Sequence, residues 1–227
     1  MTDELPDLAY GLPVFPLPDM TLFPHTLLPL HIFEERYRNL MEDTLRKPES
    51  EHCFAMGTLR DSNSDGEVLG DPPIHRYAGV GRIDEYTRHP DGRFVLVLRG
   101  IGRVRLTHEN SVTRGYRVFG ADWLPDITPP AANVWERNLG VELKGLALAL
   151  LREQAEKFRG MLSAHMELGE LTDMITGYLP FPPEFKLQQM ATRNVIERAA
   201  RTISQLERMA GIAPDKPLKL DDAPPVN

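Results

Sequence analysis

The sequence is poor in the residues that hold metals and form disulfides. It contains one cysteine, Cys53, in 227 residues, which excludes an internal disulfide and a zinc site built from several thiolates. Its seven histidines are scattered, and no two of them have the spacing of paired ligands on one helix. We therefore expect no metal and no cofactor.

A basic charge excess and long apolar runs are also absent. The 33 acidic residues outnumber the 26 basic residues, giving a net charge of −7, which argues against nonspecific binding of nucleic acids. No uninterrupted apolar run approaches the roughly 18 residues that a membrane helix needs. The acidic N-terminus lacks the basic and apolar regions of a signal peptide. These features predict a soluble, cytoplasmic protein.

Motifs that carry catalysis are missing as well. No Gly-x-x-x-x-Gly-Lys loop for nucleotide phosphates occurs. The pairs Gly79-x-Gly81 and Gly100-x-Gly102 lie in or beside predicted strands, so they are not typical of a dinucleotide site. They indicate bulges or corners of a curved sheet instead. Neighbouring acids such as Glu34 and Glu35 point about 100° apart on a helix and do not share a site. We expect no enzymatic activity.

The most informative segment runs from residue 12 to residue 40. It is apolar and contains five prolines before residue 30. Because proline cannot donate to a sheet ladder, the segment is predicted to be an edge strand followed by an ordered apolar loop. An amphipathic helix is predicted next, from the helical spacing of Phe33, Tyr37, Leu40, Met41 and Thr44.

The rest of the chain changes from a strand pattern to a helix pattern. Residues 53–59 and 115–124 are predicted strands, and residues 79–87 and 93–107 are predicted to form a hairpin around the Asp91-Gly92 turn. Residues 125–133 are a proline-rich linker without apolar anchoring. The helices that follow are predicted from apolar stripes, from Pro182-Pro183 as a helix start, and from Thr192 and Gly211 as caps.

The motifs along the chain resemble a known family. Their order is similar to that of the N-terminal, substrate-binding domain of Lon proteases, and the resemblance covers residues 11–210. The pieces that carry it are Leu12-Pro13-Val14-Phe15-Pro16-Leu17, Leu22-Phe23-Pro24, Leu28-Pro29-Leu30-His31-Ile32-Phe33-Glu34-x-Arg36-Tyr37, Gly79-Val80-Gly81-Arg82-Ile83, Leu98-x-Gly100-x-x-Arg103-Val104, Tyr116-x-Val118, Trp123-Leu124-x-Asp126 and Leu179-Pro180-Phe181-Pro182-Pro183-Glu184-Phe185-Lys186-Leu187-Gln188.

This resemblance implies an α+β fold, with a PUA-like β pseudo-barrel followed by an all-helical bundle. The expected boundaries are 11–125 for the β domain, 131–211 for the helical domain, and 1–10 and 212–227 for flexible tails. It also implies a stand-alone, non-catalytic module that binds unfolded or client polypeptides. Such a module would be an adaptor in protein quality control, working with a protease or a chaperone.

Five residues are the predicted polypeptide-binding candidates. Met20, Leu22 and Phe23 lie in the proline-stiffened loop, and Trp123 and Trp135 flank the linker. Exposed apolar surface is what an unfolded client can cover, and methionine suits promiscuous contacts because its side chain is flexible. Core packing is the alternative for each residue, and it is favoured for the two tryptophans.

Two further classes of function remain open from the sequence. An RNA-binding module is suggested by the resemblance to PUA-like barrels and by arginines in the strand half, at positions 82, 93, 99, 103, 105, 114 and 117. Few aromatics accompany these arginines for base stacking, so RNA is ranked second. A small-molecule enzyme would need convergent polar groups, and the sequence offers no such constellation.

Overall fold

The computed structural model describes residues 5–8, 11–60, 68–69, 72–110, 114–130, 132–162 and 166–212. The chain divides into two units. The strand unit comprises Met1–Pro125 and Pro182–Ala191, and the helical unit comprises Asp126–Phe181 and Thr192–Asn227. Most of the predicted tails, 1–10 and 212–227, lies outside the described residues.

The described strands all belong to the strand unit. They are β1 (Leu12–Pro18), β2 (Leu27–Ile32), β3 (Cys53–Leu59), β4 (Val68–Leu69), β5 (Ile74–His75), β6 (Tyr77–Arg88), β7 (Phe94–Asn110) and β8 (Arg117–Trp123). The described α-helices are α1 (Glu35–Leu45), α2 (Ala132–Leu151), α3 (Ala155–Met161), α4 (Leu168–Tyr178), α5 (Pro183–Ala191) and α6 (Val195–Ala210). The predicted α+β architecture, with strands first and helices after them, is confirmed.

The strand unit contains a closed sheet. Its strands follow the order β1-β8-β7-β6-β3, and a parallel pairing of β1 with β3 closes the ring. β5 and β4 continue beyond β3, while β2 pairs with β7 outside the ring. The long hairpin of β6 and β7 was predicted from its turn. β7 is central as predicted, because it pairs with β6 on one side and with β2 and β8 on the other, although one of its two apolar faces is exposed at Val95.

β1 is not the edge strand that its prolines predicted. Residues 12–14 pair with β8 and residues 14–18 pair with β3, so the strand changes partner at Val14. Along most of its length each half therefore has a neighbour on one side only. A proline in either half can turn its missing donor toward the unpaired side.

Two apolar cores explain why β1 and β3 are apolar throughout. Val14 and Ala55 belong to one core, which is shared by the five strands of the ring. Phe15 and Phe54 face the second core, which α1 covers with Tyr37 and other residues. Both faces of β1 and β3 are therefore buried, which is the usual cause of strands without polar alternation.

The helix after β2 was predicted nearly correctly. α1 buries Tyr37, Leu40, Met41 and Thr44, the stripe predicted from their spacing. Phe33, the first residue of the predicted stripe, lies before the helix and is 61% exposed. The helix begins only at Glu35, so Phe33 is not aligned with the buried face.

α5 departs from the predicted domain boundaries. The sequence assigns it to a helical domain of residues 131–211, yet it packs on β6 within the strand unit. Arg103, which is buried in β7, donates to the carbonyl of Gln189 in α5 at 3.4 Å. A helix pattern in sequence does not reveal which unit its buried face contacts.

The caps of α6 show one error in the sequence prediction. Asn194, and not Thr192, begins the helix, because its Oδ1 accepts from the backbone N–H of Ile196 at 3.0 Å and of Glu197 at 3.3 Å. Gly211 ends the helix in the left-handed region, with φ of 71°, as predicted.

The predicted linker is held to the helical unit at its start. Asp126 forms a two-pronged ion pair with the fully buried Arg198, at 2.9 and 2.8 Å. Nε of Arg198 also lies 3.1 Å from Oδ1 of Asp173 in α4. The Ile127 N–H donates to the Arg193 carbonyl at 2.9 Å. Residues 126 and 127 are therefore anchored by polar contacts, although apolar anchoring is weak there.

Candidate functional site

The proline loop between β1 and β2 is pinned to the sheet. Thr58 in β3 donates its hydroxyl to the carbonyl of Met20 at 2.6 Å, and the His25 N–H donates to the Gly100 carbonyl in β7 at 2.9 Å. Within the loop, Thr26 donates its hydroxyl to the carbonyl of Phe23 at 2.7 Å. Asp19 and His25 near the ends of the loop have φ of 52° and 65°. The left-handed region is uncommon for residues other than glycine, so the loop is folded tightly at both ends.

Glycines let the loop backbone lie directly on β6 and β7. A Cβ at Gly79 would stand 1.7 Å from the Leu22 carbonyl oxygen, and one at Gly100 would stand 2.0 Å from the Phe23 carbonyl oxygen. The sheet also has a register shift between Val80 and Gly81. The bulge expected from the glycines therefore exists, and close approach of the loop is their second role.

This arrangement corrects two predicted contact residues. Leu22 is 2% exposed and Phe23 is 0% exposed, and Leu22 belongs to the core that α1 covers. Neither side chain can touch a client in this structure, so the prediction of direct contact is wrong for both. The loop is apolar because it packs under the surface. Met20 is half-buried against the same core and stays a candidate.

The two tryptophans lie in different units. Trp123, at the end of β8, is half-buried and donates its Nε1–H to the Pro6 carbonyl at 3.2 Å. Its ring occupies the space that a Cβ on Gly102 would need, with Cζ3 2.7 Å away. Trp135 lies in the first turns of α2 and is also half-buried. A role in client binding stays a prediction for both.

The outer face of β2, β7 and β6 presents exposed apolar side chains on ordered strands. Paired residues of antiparallel strands share a face, so the registers define three rows: Leu27-Arg99-Arg82, Pro29-Val97-Glu85 and His31-Val95-Thr87. We call these nine residues together with Phe33 the β2–β7 face. Leu27 is 43% exposed and Val95 is 44% exposed. The rings of His31 and Phe33 lie 6.0 Å apart.

The sequence could not identify this face. Residues 27–32 are apolar at almost every position, so alternation does not separate the solvent side from the core side. Leu30 and Ile32 are buried, whereas Leu27 and Pro29 are exposed. Phe33 gave no signal either, because its spacing from Tyr37 and Leu40 fits the buried stripe of a helix, whereas the helix begins only at Glu35.

Ion pairs neutralise most of the predicted arginine patch. Arg93 pairs with Asp91, Arg99 with Asp84, Arg105 with Asp122, Arg114 with Asp43 and Arg117 with Glu109. Arg103 is buried. A surface that attracts the phosphates of RNA needs uncompensated positive charge. The described residues offer no observation that favours RNA binding.

Cys53 and His75 are buried in the strand unit, and burial shifts the pKa of each. Burial raises the pKa of the Cys53 thiol to about 11, which disfavours the reactive thiolate. Burial also lowers the pKa of His75, with a further contribution from Arg60. Within the described ranges, no three carboxylate, imidazole or thiol groups are arranged to hold a metal ion, and no helix is long and apolar enough to cross a membrane.

Solved structures share this fold. The N-terminal domain of Lon protease from Mycobacterium avium complex matches with a TM-score of 0.64 and 19% identity, covering 87% of this chain and 98% of that one. A Lon N-terminal domain protein from Xanthomonas campestris matches with a TM-score of 0.57 and 22% identity, covering 90% and 99%. The architecture is therefore that of Lon N-terminal domains.

The chain belongs to the ATP-dependent protease La (LON) substrate-binding domain family, whose model matches residues 11–208. Lon protease 2 of Myxococcus xanthus is 26% identical over 209 residues, which are 89% of this chain and 24% of that protein. The Lon protease of Roseiflexus castenholzii is 26% identical over 220 residues, which are 91% and 25%. The family resemblance predicted from the sequence is confirmed. The chain spans about a quarter of the length of these relatives.

Proposed function

We propose that this protein recognises apolar segments of other polypeptides by binding, without turnover. The single observation that carries the proposal is the β2–β7 face, where apolar side chains are exposed on paired strands. Burying apolar surface contributes about 25 cal/mol per Å². An unfolded client supplies such surface, whereas a folded protein has buried most of its own.

The rigidity of the face supports the same function. Leu27 and Val95 are held by the ladder between β2 and β7, so little backbone entropy is lost when a client covers them. The family description names a substrate-binding domain, which agrees with a recognition role. Met20, Trp123 and Trp135 are secondary candidates for contacts of the same kind.

In this proposal the protein is an adaptor in protein quality control. It binds client polypeptides and brings them to a protease or a chaperone, which carries out the subsequent chemistry. Cys53 is buried and burial raises the pKa of its thiol to about 11, so this side chain is suited to packing and not to nucleophilic attack.

The test is binding to a permanently unfolded probe, reduced and carboxymethylated α-lactalbumin. The triple variant Leu27→Thr, Phe33→Ser, Val95→Thr should bind it about tenfold more weakly, because apolar contact is removed while β-forming residues are kept in the strands. Fluorescence anisotropy of the labelled probe measures the dissociation constant.

The matched control is Val141→Thr in α2, which changes an apolar residue that is 69% exposed outside the β2–β7 face. Its affinity for the probe should equal that of the wild type, and both variants should melt near the wild-type temperature. Equal affinity of the triple variant and the wild type would remove the β2–β7 face as the recognition surface.

A further inference from the structure

β2 is an edge strand beside the exposed apolar face. Among the described strands it pairs only with β7. An edge strand presents backbone N–H and C=O groups that can pair with a strand of another molecule. Apolar neighbours such as Val95, which is 44% exposed, make such pairing more favourable. The surface therefore needs a feature that prevents a second chain from extending the sheet.

The direction of each backbone group in β2 follows from one hydrogen bond. The N–H of Gly100 donates to the carbonyl of Thr26 at 2.8 Å, in the register that pairs Leu27 with Arg99. Alternate residues of an antiparallel strand bond to the same neighbour. The backbone groups of residues 28, 30 and 32 therefore point toward β7, and those of residues 27, 29 and 31 point toward the outer edge.

Pro29 is the middle residue of the outward-pointing set. Its position costs the sheet no hydrogen bond, because the missing N–H would have pointed away from β7. On the outer edge it removes the central donor that an incoming strand would need. The proline ring also fixes φ and crowds the space in front of the edge.

We infer that Pro29 prevents another chain from pairing with β2 while leaving the β2–β7 face open to side chains. For client polypeptides this inference rests on the proposed function. It specifies the mode of recognition: the client is held by its apolar side chains and not by its backbone. Because backbone pairing is independent of sequence, blocking it makes binding depend on the side chains that the client exposes.

The first experiment needs no client. Pro29→Val restores the N–H and favours a strand, and it should make the protein self-associate in sedimentation velocity over a concentration range in which the wild type is a single species. Pro48→Ala is the matched control, since Pro48 is exposed and lies outside the strands, and it should sediment like the wild type.

The second experiment measures amide hydrogen exchange in reduced, carboxymethylated α-lactalbumin bound to the protein. Amides of the probe should exchange at the free rate on the wild type and at least about tenfold more slowly on Pro29→Val. Strand-like protection on the wild type would overturn the inference, as would monomeric behaviour of both Pro29→Val and Pro29→Thr. If the wild type binds no probe while Pro29→Val self-associates, the proposed function fails and the role of Pro29 in blocking the edge stands.

Discussion

Phe23 and Leu27 lie four residues apart, and their environments are opposite. Phe23 is 0% exposed and Leu27 is 43% exposed. The sequence presents both as apolar residues near prolines, and it selected Phe23 as a contact residue. The difference is made by Gly100, whose missing Cβ lets the loop backbone sink onto β7. This contact between the backbone of the loop and β7 is a tertiary contact, and it produces no periodic pattern in the sequence.

Truncation of the buried aromatic should therefore affect stability. Phe23→Ala is expected to lower the free energy of unfolding by about 3–5 kcal/mol, because it removes a fully buried ring and leaves a cavity. Urea denaturation followed by circular dichroism measures this change.

Leu27→Ala provides the comparison at the exposed position. It should cost less than about 1 kcal/mol, since little buried contact is lost. A small and equal loss in both variants would mean that the loop is not packed as described, and Phe23 would return as a candidate for client contact.

At the scale of elements, the sequence predicted whether a segment is a helix or a strand better than it predicted which other elements that segment contacts. β3, the β6–β7 hairpin, α1 and α6 follow from local periodicity, from the turn at Gly92 and from the C-terminal cap at Gly211, whereas the N-cap of α6 is Asn194 and not Thr192. The prolines of β1 were correctly recognised as incompatible with a ladder on both sides. They could not reveal that the strand changes partner at Val14. The unit to which α5 belongs was also beyond prediction, because it depends on contacts with distant β6.

The close approach of the proline loop to the sheet gives a prediction for Gly79. Gly79→Ala would place a methyl group against the Leu22 carbonyl, which is main chain and cannot rotate away. We expect a loss of about 3 kcal/mol in the free energy of unfolding, at the upper end of the usual cost of overpacking.

Gly145→Ala is the matched control for this substitution. A Cβ at Gly145 meets nothing within 4 Å, and the residue lies in α2, so the change should stabilise the protein by about 0.5–1 kcal/mol. Thermal melts should show a lower melting temperature for Gly79→Ala and a higher one for Gly145→Ala than for the wild type. A neutral Gly79→Ala would show that the loop can lift from β6 at little cost.

At the scale of the whole molecule, the sequence indicated a division near residue 125, and the structure divides the chain between Pro125 and Asp126. The sequence could not predict that residues 126 and 127, the first residues of the linker after Pro125, are held by hydrogen bonds and an ion pair. Asp126 and Arg198 are 72 residues apart, and their pairing depends on Gly169, where a Cβ would stand 2.5 Å from the Asp126 carboxylate. The proline-rich composition predicted a linker without packing contacts, whereas the buried guanidinium of Arg198 binds Asp126 near the start of that linker.

Arg198 should therefore control the order of residues 126 and 127. Asp126→Asn removes one carboxylate from a buried guanidinium, and hydrogen bonds to charged groups contribute about 1.5–3 kcal/mol. We expect the amides of Ile127 and Val195, which bond to Arg193 and Ile127 respectively, to exchange with solvent at least about tenfold faster than in the wild type.

The comparison variant is Asp122→Asn, which breaks an exposed pair with Arg105 at 3.0 Å. Exposed pairs contribute about 0–1 kcal/mol, so exchange at Ile127 and Val195 should be unchanged. Faster exchange in Asp126→Asn alone would mean that the linker is ordered by a buried charge and not by its prolines. If exchange is equal in both variants, residues 126 and 127 are ordered by the backbone bridge between Ile127 and Asn194, because that bridge remains in each variant.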